Sequence, residues 1–259
     1  MTMTAPAPDL DPTALRAMLA STQNRFTQAT TALADHLGTH GGYISWSGGR
    51  DSTVVVDLAR HTHPDVPVVW FDSGLEFPDT GPYIHDLAAR WNLNLHVITA
   101  RPTALDILIQ SGAWHDDKEP DWTTPNLHHT LITAPAQQAR TRFGTAETWG
   151  LRAGESRARR MLLAPTHGHT TRADGTRTYA PIWAWSADDV DAYFADHDIP
   201  LNPAYQRLRA AGATGKDLRV GLAVDGNNLH HGRITWLKRA YPAYYATLTD
   251  HLPRLRHFT

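Results

Sequence analysis

The sequence predicts an α/β protein built on a doubly wound parallel sheet, with a helical segment before it and an extension after it. Three observations point there. Short apolar, β-branched runs alternate with stretches of helical spacing over the first half of the chain. A glycine turn, Ser47-Gly48-Gly49, falls where the first run meets the first of those helices. The chain has 259 residues, 41% of them hydrophobic and 19% charged, enough for one large core and too apolar for wholesale disorder. The division read from these patterns is a helical segment at 1–38, an α/β domain at 39–205 and an extension at 206–259.

Taken in order, residues 1–10 are rich in Pro and Ala and are read as loose. From Asp11 to His36, apolar residues recur at helical spacing (Leu15, Met18, Leu19, Phe26, Ala29, Leu33), with Asp11 or Thr13 as N-caps, which gives one or two helices. Gly42–Trp46 reads as a buried strand ending at the glycine turn. The run Thr53–Ala59 is β-branched and would suit a strand. A second strand, Val66–Phe71, follows directly after Pro64-Asp65, so the run is read as the intervening helix. A helix at 82–91, a strand at 93–99 and a helix at 103–110 continue a βαβαβα alternation, which requires right-handed crossovers. Residues 112–125 read as a long polar loop or lid. Further on come a helix at 135–143, strands at 147–152 and 177–182, and a helix at 186–196 capped by Ser186. Beyond Asn202 no periodicity stands out.

Composition narrows the chemistry. The chain has no cysteine, which excludes disulfides, thiolate metal sites, an iron–sulfur cluster and a cysteine nucleophile. A formal net charge of −2 gives no global case for nucleic acid or membrane, while leaving room for a local basic cleft. The N-terminus lacks the layout of a signal peptide and no apolar run is long enough to span a bilayer, so a cytoplasmic location is expected. Histidines occur in isolated pairs (61/63, 128/129, 167/169, 230/231) without zinc-site spacing. Basic and aromatic residues interleave over 227–248, a pattern that can bind nucleic acid but that here reads as a packing or dimer element. A homo-oligomer is expected on this ground. Trp183 and Trp185 read as packing the last of these helices on the sheet.

The glycine turn carries the chemical signal. Glycines let the backbone approach a ligand, and the following helix aims unpaired N–H groups at the turn, where they bind anions. Ser47 and Ser52 add hydroxyls, and Asp51 could hold a Mg²⁺ that bridges phosphates. Ser47-Gly48-Gly49-Arg50-Asp51-Ser52 resembles the SGGxDS loop of the PP-loop ATP pyrophosphatases, whose fold is the Rossmann-like adenine nucleotide alpha hydrolase fold. Three further segments resemble the branch holding phosphoadenosine phosphosulfate (PAPS) reductases and the small subunit of ATP sulfurylase. They are Val69–Thr80, Gly150–Arg157, and Pro181–Val190 continuing to Ile199–Tyr205.

That resemblance implies roles. The amides of Gly48 to Ser52 would hold phosphates or a departing pyrophosphate, with Gly150 beside them. The backbone of Phe71, Asp72 and Ser73 would read adenine, and Asp72 would touch ribose or metal. Glu76, Phe77 and Pro78 read as ordinary turn packing. Arg152 and Arg157 would be the catalytic anion partners together with Asp51, with Glu155 orienting an arginine. Arg159 and Arg160 read as surface residues. Reductases of this branch attack with a cysteine that this chain does not have. The expected function is therefore cleavage of ATP between the α- and β-phosphates, adenylating an unknown acceptor with release of pyrophosphate. Binding or processing of PAPS or another sulfonucleotide without a catalytic thiol of its own, and nucleotide sensing as a non-catalytic partner subunit of another protein, stand as the alternatives.

Overall fold

The structure, a computed structural model, describes residues 12–119, 121, 126–224 and 233–259. A six-stranded sheet in the order β3-β2-β1-β4-β6-β5 forms its centre. The strands are β1 (Tyr43–Ser45), β2 (Val68–Asp72), β3 (Leu95–Thr99), β4 (Ala146–Trp149), β5 (His169–Thr171) and β6 (Arg177–Tyr179). All neighbours pair in parallel except β5, which runs antiparallel to β6 at the edge. The sequence reading missed β5, a three-residue strand with only its central residue shielded. The strands read at 147–152 and 177–182 are shorter, because the chain turns away after Trp149 and Tyr179 to build other structure.

Helices cover both faces. One 29-residue helix, α1 (Pro12–His40), replaces the one or two read from the pattern, so the boundary drawn at residue 38 falls inside its last turn. Phe26, Ala29, Leu33 and Leu37 bury its inner face against the core of α2 (Arg50–Arg60) and the sheet. Helix α2 is the β-branched run, and every residue from Ser52 to Ala59 is buried. Tertiary burial here overrides β-propensity. Next come α3 (Thr80–Trp91), α4 (Ala104–Gln110), α5 (Ala134–Phe143), α6 (Arg157–Leu163) and α7 (Ala187–Asp196). Ser186 caps α7, accepting from Asp189 N at 3.1 Å while the Asp189 carboxylate takes Ser186 N at 2.8 Å. Trp185 packs beneath α7 on Phe26 and Tyr193, whereas Trp183 packs with Ala153, Leu163 and Ala180, under the turn that carries Arg152.

The last segment forms a second core. Helices α8 (Pro203–Ala210), α9 (Arg233–Ala240) and α10 (Pro242–His251) bury Tyr205, Leu208, Ile234, Leu237, Tyr245 and Leu248 together with Leu75, Phe77 and Ala104 of the α/β part. Helix α8 spans the boundary drawn at residue 205. Of the basic–aromatic stretch, 227–232 lies outside the described residues, and the aromatic side chains beyond it pack inward. The loop read as a lid docks on the C-terminus: Arg254 N donates to Trp114 O at 3.0 Å and its guanidinium to Ala113 O at 3.0 Å. Residues 120 and 122–125 of that loop lie outside the described residues. No described helix is long and apolar enough to cross a membrane.

Candidate nucleotide site

The sheet order places a topological switch point between β1 and β4, and open α/β sheets bind ligands in the crevice beyond the strand ends at such a point. A cavity of about 500 Å³ opens there, inside the size range of small-molecule sites. Its lining comes from the loop after β1 (Ser47 and Gly49 to Ser52), the loop after β4 (Gly150 to Arg152, Glu155), Arg159 of α6, Ala187 of α7, Tyr205 of α8, and Gly215 with Leu218 to Gly221.

Local sequence explains the first wall. Gly48 turns the chain at φ +69°, where a Cβ would also stand 3.1 Å from Thr80. Gly49 is the N-cap of α2 without a side-chain cap. Thr53 fastens the turn from inside, giving its hydroxyl to Gly49 O at 2.8 Å and accepting from Trp46 Nε1 at 3.0 Å. Ser47 and Ser52 pair their hydroxyls at 3.1 Å. Of the first amides of α2, Arg50 N donates to the Tyr205 hydroxyl at 3.2 Å. Those of Asp51 and Ser52 have no acceptor among the described residues, so the helix presents donors and the positive end of its dipole.

The second wall meets the first through Gly150. A Cβ on Gly150 would lie 2.3 Å from Ser52 N, so only glycine lets β4 run this close to α2. That approach brings Arg152 to Asp51, with Nε 2.9 Å from Oδ1. Both side chains are largely buried, at 9% and 16% exposure. The contact lacks hydrogen-bond alignment, leaving Asp51 Oδ1 and Arg152 Nε as buried atoms without a hydrogen-bond partner. Burial pushes the Asp51 carboxyl up from its ordinary pKa, and the Arg152 guanidinium opposes the rise. Glu155 takes the Arg152 backbone N–H at 3.1 Å and pairs with the Arg159 guanidinium one turn away. Arg50 turns to Asp191 of α7 and lies 5.7 Å from the Tyr205 ring.

Of the residues singled out from sequence, Ser47, Gly49, Arg50, Asp51, Ser52, Gly150, Arg152 and Glu155 converge on the cavity, with Gly48 forming the turn behind them. Arg157 does not join them: it is exposed at the first helical position of α6, and Arg159 lines the cavity instead. Sequence reading also passed over Arg219 and gave Tyr205 no role. The i, i+4 spacing of Glu155 and Arg159 was the available signal for the arginine. His128 and His129 are exposed and away from the lining.

Phe71, Asp72 and Ser73 sit at the end of β2, one strand from the turn, outside the lining. Ser73 is consumed locally, donating its N–H and hydroxyl to Glu76 at 3.1 and 2.6 Å while its carbonyl takes Ala104 N at 2.7 Å. Asp72 Oδ1 accepts from Gly74 N at 2.9 Å, and its carbonyl is taken by Ala100 N. Phe71 differs. Val69 O accepts from Trp46 N, the last bond between β1 and β2, so strand alternation aims the N–H and C=O of Phe71 past the end of β1.

The lining holds four arginines (Arg50, Arg152, Arg159, Arg219) against two carboxylates (Asp51, Glu155), a local basic cleft in a chain of net charge −2. No group of three or more His, Asp or Glu able to hold a metal occurs among the described residues. A model of the phosphoadenosine phosphosulfate reductase domain matches residues 42–214. The chain belongs to that family.

Within this PAPS reductase domain family, the chain is 27% identical over 209 residues to a phosphoadenosine 5'-phosphosulfate reductase of Xylella fastidiosa, covering 78% of this chain and 81% of that one. To its namesake from Shewanella oneidensis it is 29% identical over 236 residues, covering 86% and 89%. Among solved structures, PAPS reductase from Candida auris in a phosphate complex aligns with TM-score 0.55 at 18% identity, over 81% of this chain and 96% of that one. FMN adenylyltransferase from Candida glabrata, in complex with FAD and inorganic pyrophosphate, aligns with TM-score 0.51 at 14% identity, over 78% and 64%. These likenesses show the fold, and the family match makes the chain a PP-loop protein of an enzyme family.

Proposed function

We propose that the chain binds ATP with its phosphates on the first turn of α2 and cleaves it between the α- and β-phosphates, passing the adenylyl group to an acceptor and releasing pyrophosphate. The observation that carries this reading is the cavity itself, lined by Asp51 and Ser52, whose amides have no acceptor among the described residues, and by Arg152 and Arg159. In the step, an acceptor oxygen forms a bond to the α-phosphorus. The bond from phosphorus to the bridging oxygen breaks, and its electrons leave on pyrophosphate. Little covalent work falls to the protein in such a transfer. Donors and cations placed where charge develops supply the catalysis. The amides of α2 and the arginines would take the pyrophosphate charge, while Asp51 keeps Arg152 in place. The Phe71 N–H and C=O match the acceptor and donor on the edge of an adenine.

A Mg²⁺ suits this site. Asp51 Oδ1 is a buried carboxylate oxygen that meets the Arg152 guanidinium without an aligned hydrogen bond, and Mg²⁺ needs only one or two carboxylates when phosphates and waters complete its shell. When bound, such an ion would neutralise phosphate charge. With no cysteine in the chain, attack of a thiolate on a sulfonyl group would need a thiol from outside it. A second reading, binding of a sulfonucleotide, is favoured by the names of the relatives and by Arg219, a cation at the cavity's edge with no carboxylate partner among the described residues.

Calorimetry decides between the two. The ATP reading expects ATP and pyrophosphate to bind at least as tightly as adenosine 3',5'-bisphosphate, and labelled pyrophosphate to exchange into ATP once an acceptor is supplied. Strong preference for the bisphosphate, with no exchange, would turn the assignment to the sulfonucleotide. Tight binding without turnover in the presence of acceptors and partners would mark a sensor.

A further inference from the structure

One polar group at the mouth of the phosphate loop has no part in the scheme above. Asn202 caps α8, its Oδ1 accepting from Ala204 N at 3.0 Å. Its Nδ2 donates to Gly48 O at 3.2 Å and to Thr80 Oγ1 at 3.3 Å. Three residues on, Tyr205 reaches the other side of the same loop, where its hydroxyl accepts from Arg50 N at 3.2 Å. A Cβ on Gly49 would stand 3.5 Å from that oxygen, so the hydroxyl lies directly over the cap of α2. Asn202 and Tyr205 are 1% and 5% exposed, yet Tyr205 lines the cavity.

A phenol oxygen that accepts an N–H keeps its own hydrogen to give, and that hydrogen has no acceptor among the described residues. Burial holds the phenol pKa above its ordinary value, so the group remains a donor at neutral and mildly alkaline pH. The hydroxyl therefore adds a third donor beside the amides of Asp51 and Ser52, at the place where a phosphate would rest. We propose that Tyr205 contacts the substrate, donating its hydroxyl hydrogen to a phosphate oxygen, so that α8 forms part of the phosphate site. This rests on the reading that phosphates occupy the α2 turn.

A purely structural tyrosine makes the opposite prediction. If Tyr205 only satisfies the Arg50 amide, removing its oxygen frees that amide for the ligand, and anion binding holds or tightens. Calorimetric titration of the full chain with pyrophosphate, wild type against Tyr205→Phe, separates the two. The phenylalanine keeps the ring beside Arg50, and a melting curve checks the fold. The expected result is pyrophosphate binding weakened about tenfold or more, the size of a lost hydrogen bond to a charged group. Unchanged or tighter binding overturns the proposal and leaves the function reading standing. A wild type that binds neither pyrophosphate nor ATP overturns both. Should the variant fail to fold, the wild-type crystal structure with pyrophosphate decides. Tyr205 Oη at about 3 Å or less from a phosphate oxygen supports the proposal, and a separation beyond about 4 Å overturns it.

Discussion

The two walls of the cavity are made of different material. One is a single stretch, Ser47 to Ser52, offering mainly backbone: a left-handed glycine, an uncapped helix start and two free amides. The other gathers side chains from three separate segments, Arg152 and Arg159 after β4, Tyr205 on α8 and Arg219 beyond it. Sterics alone shape a backbone wall, and its donors keep their state at any pH. A wall of charged side chains must be held by partners, which is why Arg152 comes with Asp51 and Arg159 with Glu155. The first wall is vulnerable to bulk and the second to loss of charge balance.

Gly150→Ala tests the contact between the walls and should do the most damage. Its methyl would meet the backbone of α2 at 2.3 Å, so strand or helix must move. A loss of about 4 kcal/mol in denaturant unfolding is expected, with loss of nucleotide binding by calorimetry. A stable, binding-competent Gly150→Ala would show that the walls do not depend on this approach.

Arg152→Met removes one partner of the buried pair and should cost about 3 kcal/mol, because the Asp51 carboxylate is left uncompensated. Adding Asp51→Asn should recover most of that loss. A double variant as unstable as the single one would mean that the pair does not set the energetics.

Arg159→Gln should weaken ATP binding by about 1.5 kcal/mol, roughly tenfold, while Arg157→Gln leaves it unchanged. Equal effects from the two would break the distinction between lining and surface arginines.

The smallest effect comes from the far edge of the sheet, where His40, His169 and Arg177 crowd His36. His36 is buried among His40, His169 and Tyr179, with neither ring nitrogen hydrogen-bonded. Burial, then the charges of His40, His169 and Arg177, lower its pKa from 6.5 to about 4. A depressed folded-state value means His36 stabilises the fold above pH 6.5, and that contribution is lost as pH falls toward 4. Between pH 7 and 5.5 the stability of His36→Phe should therefore fall by about 1 kcal/mol less than that of the wild type, or 2–4 °C in thermal scans. Parallel melting curves for variant and wild type would exclude His36 as the acid-sensitive group.

Legibility followed the range of the interactions. The alternation through β3, the turn at Gly48 and the cap at Ser186 depend on neighbours in sequence, and they stand close to where the patterns placed them. Strand β5 is three residues whose only strand partner among the described residues is β6, so no local period betrays it. The C-terminal core was unreadable for a related reason. Its helices share their buried faces with Leu75, Phe77 and Ala104, far away in sequence. The arginines show the finest limit. Arg157 and Arg159 are two residues apart, and which one enters the cavity depends on where Ser156 starts the helix and on Glu155 one turn back.

Sequence alone was enough for the glycine loop, the order of its first strands and helices, and the absence of any thiol, because backbone sterics and elemental composition are local facts. Only the folded chain could select Arg159 over Arg157, narrow the β2 end to the open main-chain edge of Phe71, and carry Tyr205 and Arg219 to the cavity. Those choices depend on the phase of helices and the crossing of segments more than fifty residues apart, which no short stretch of sequence encodes.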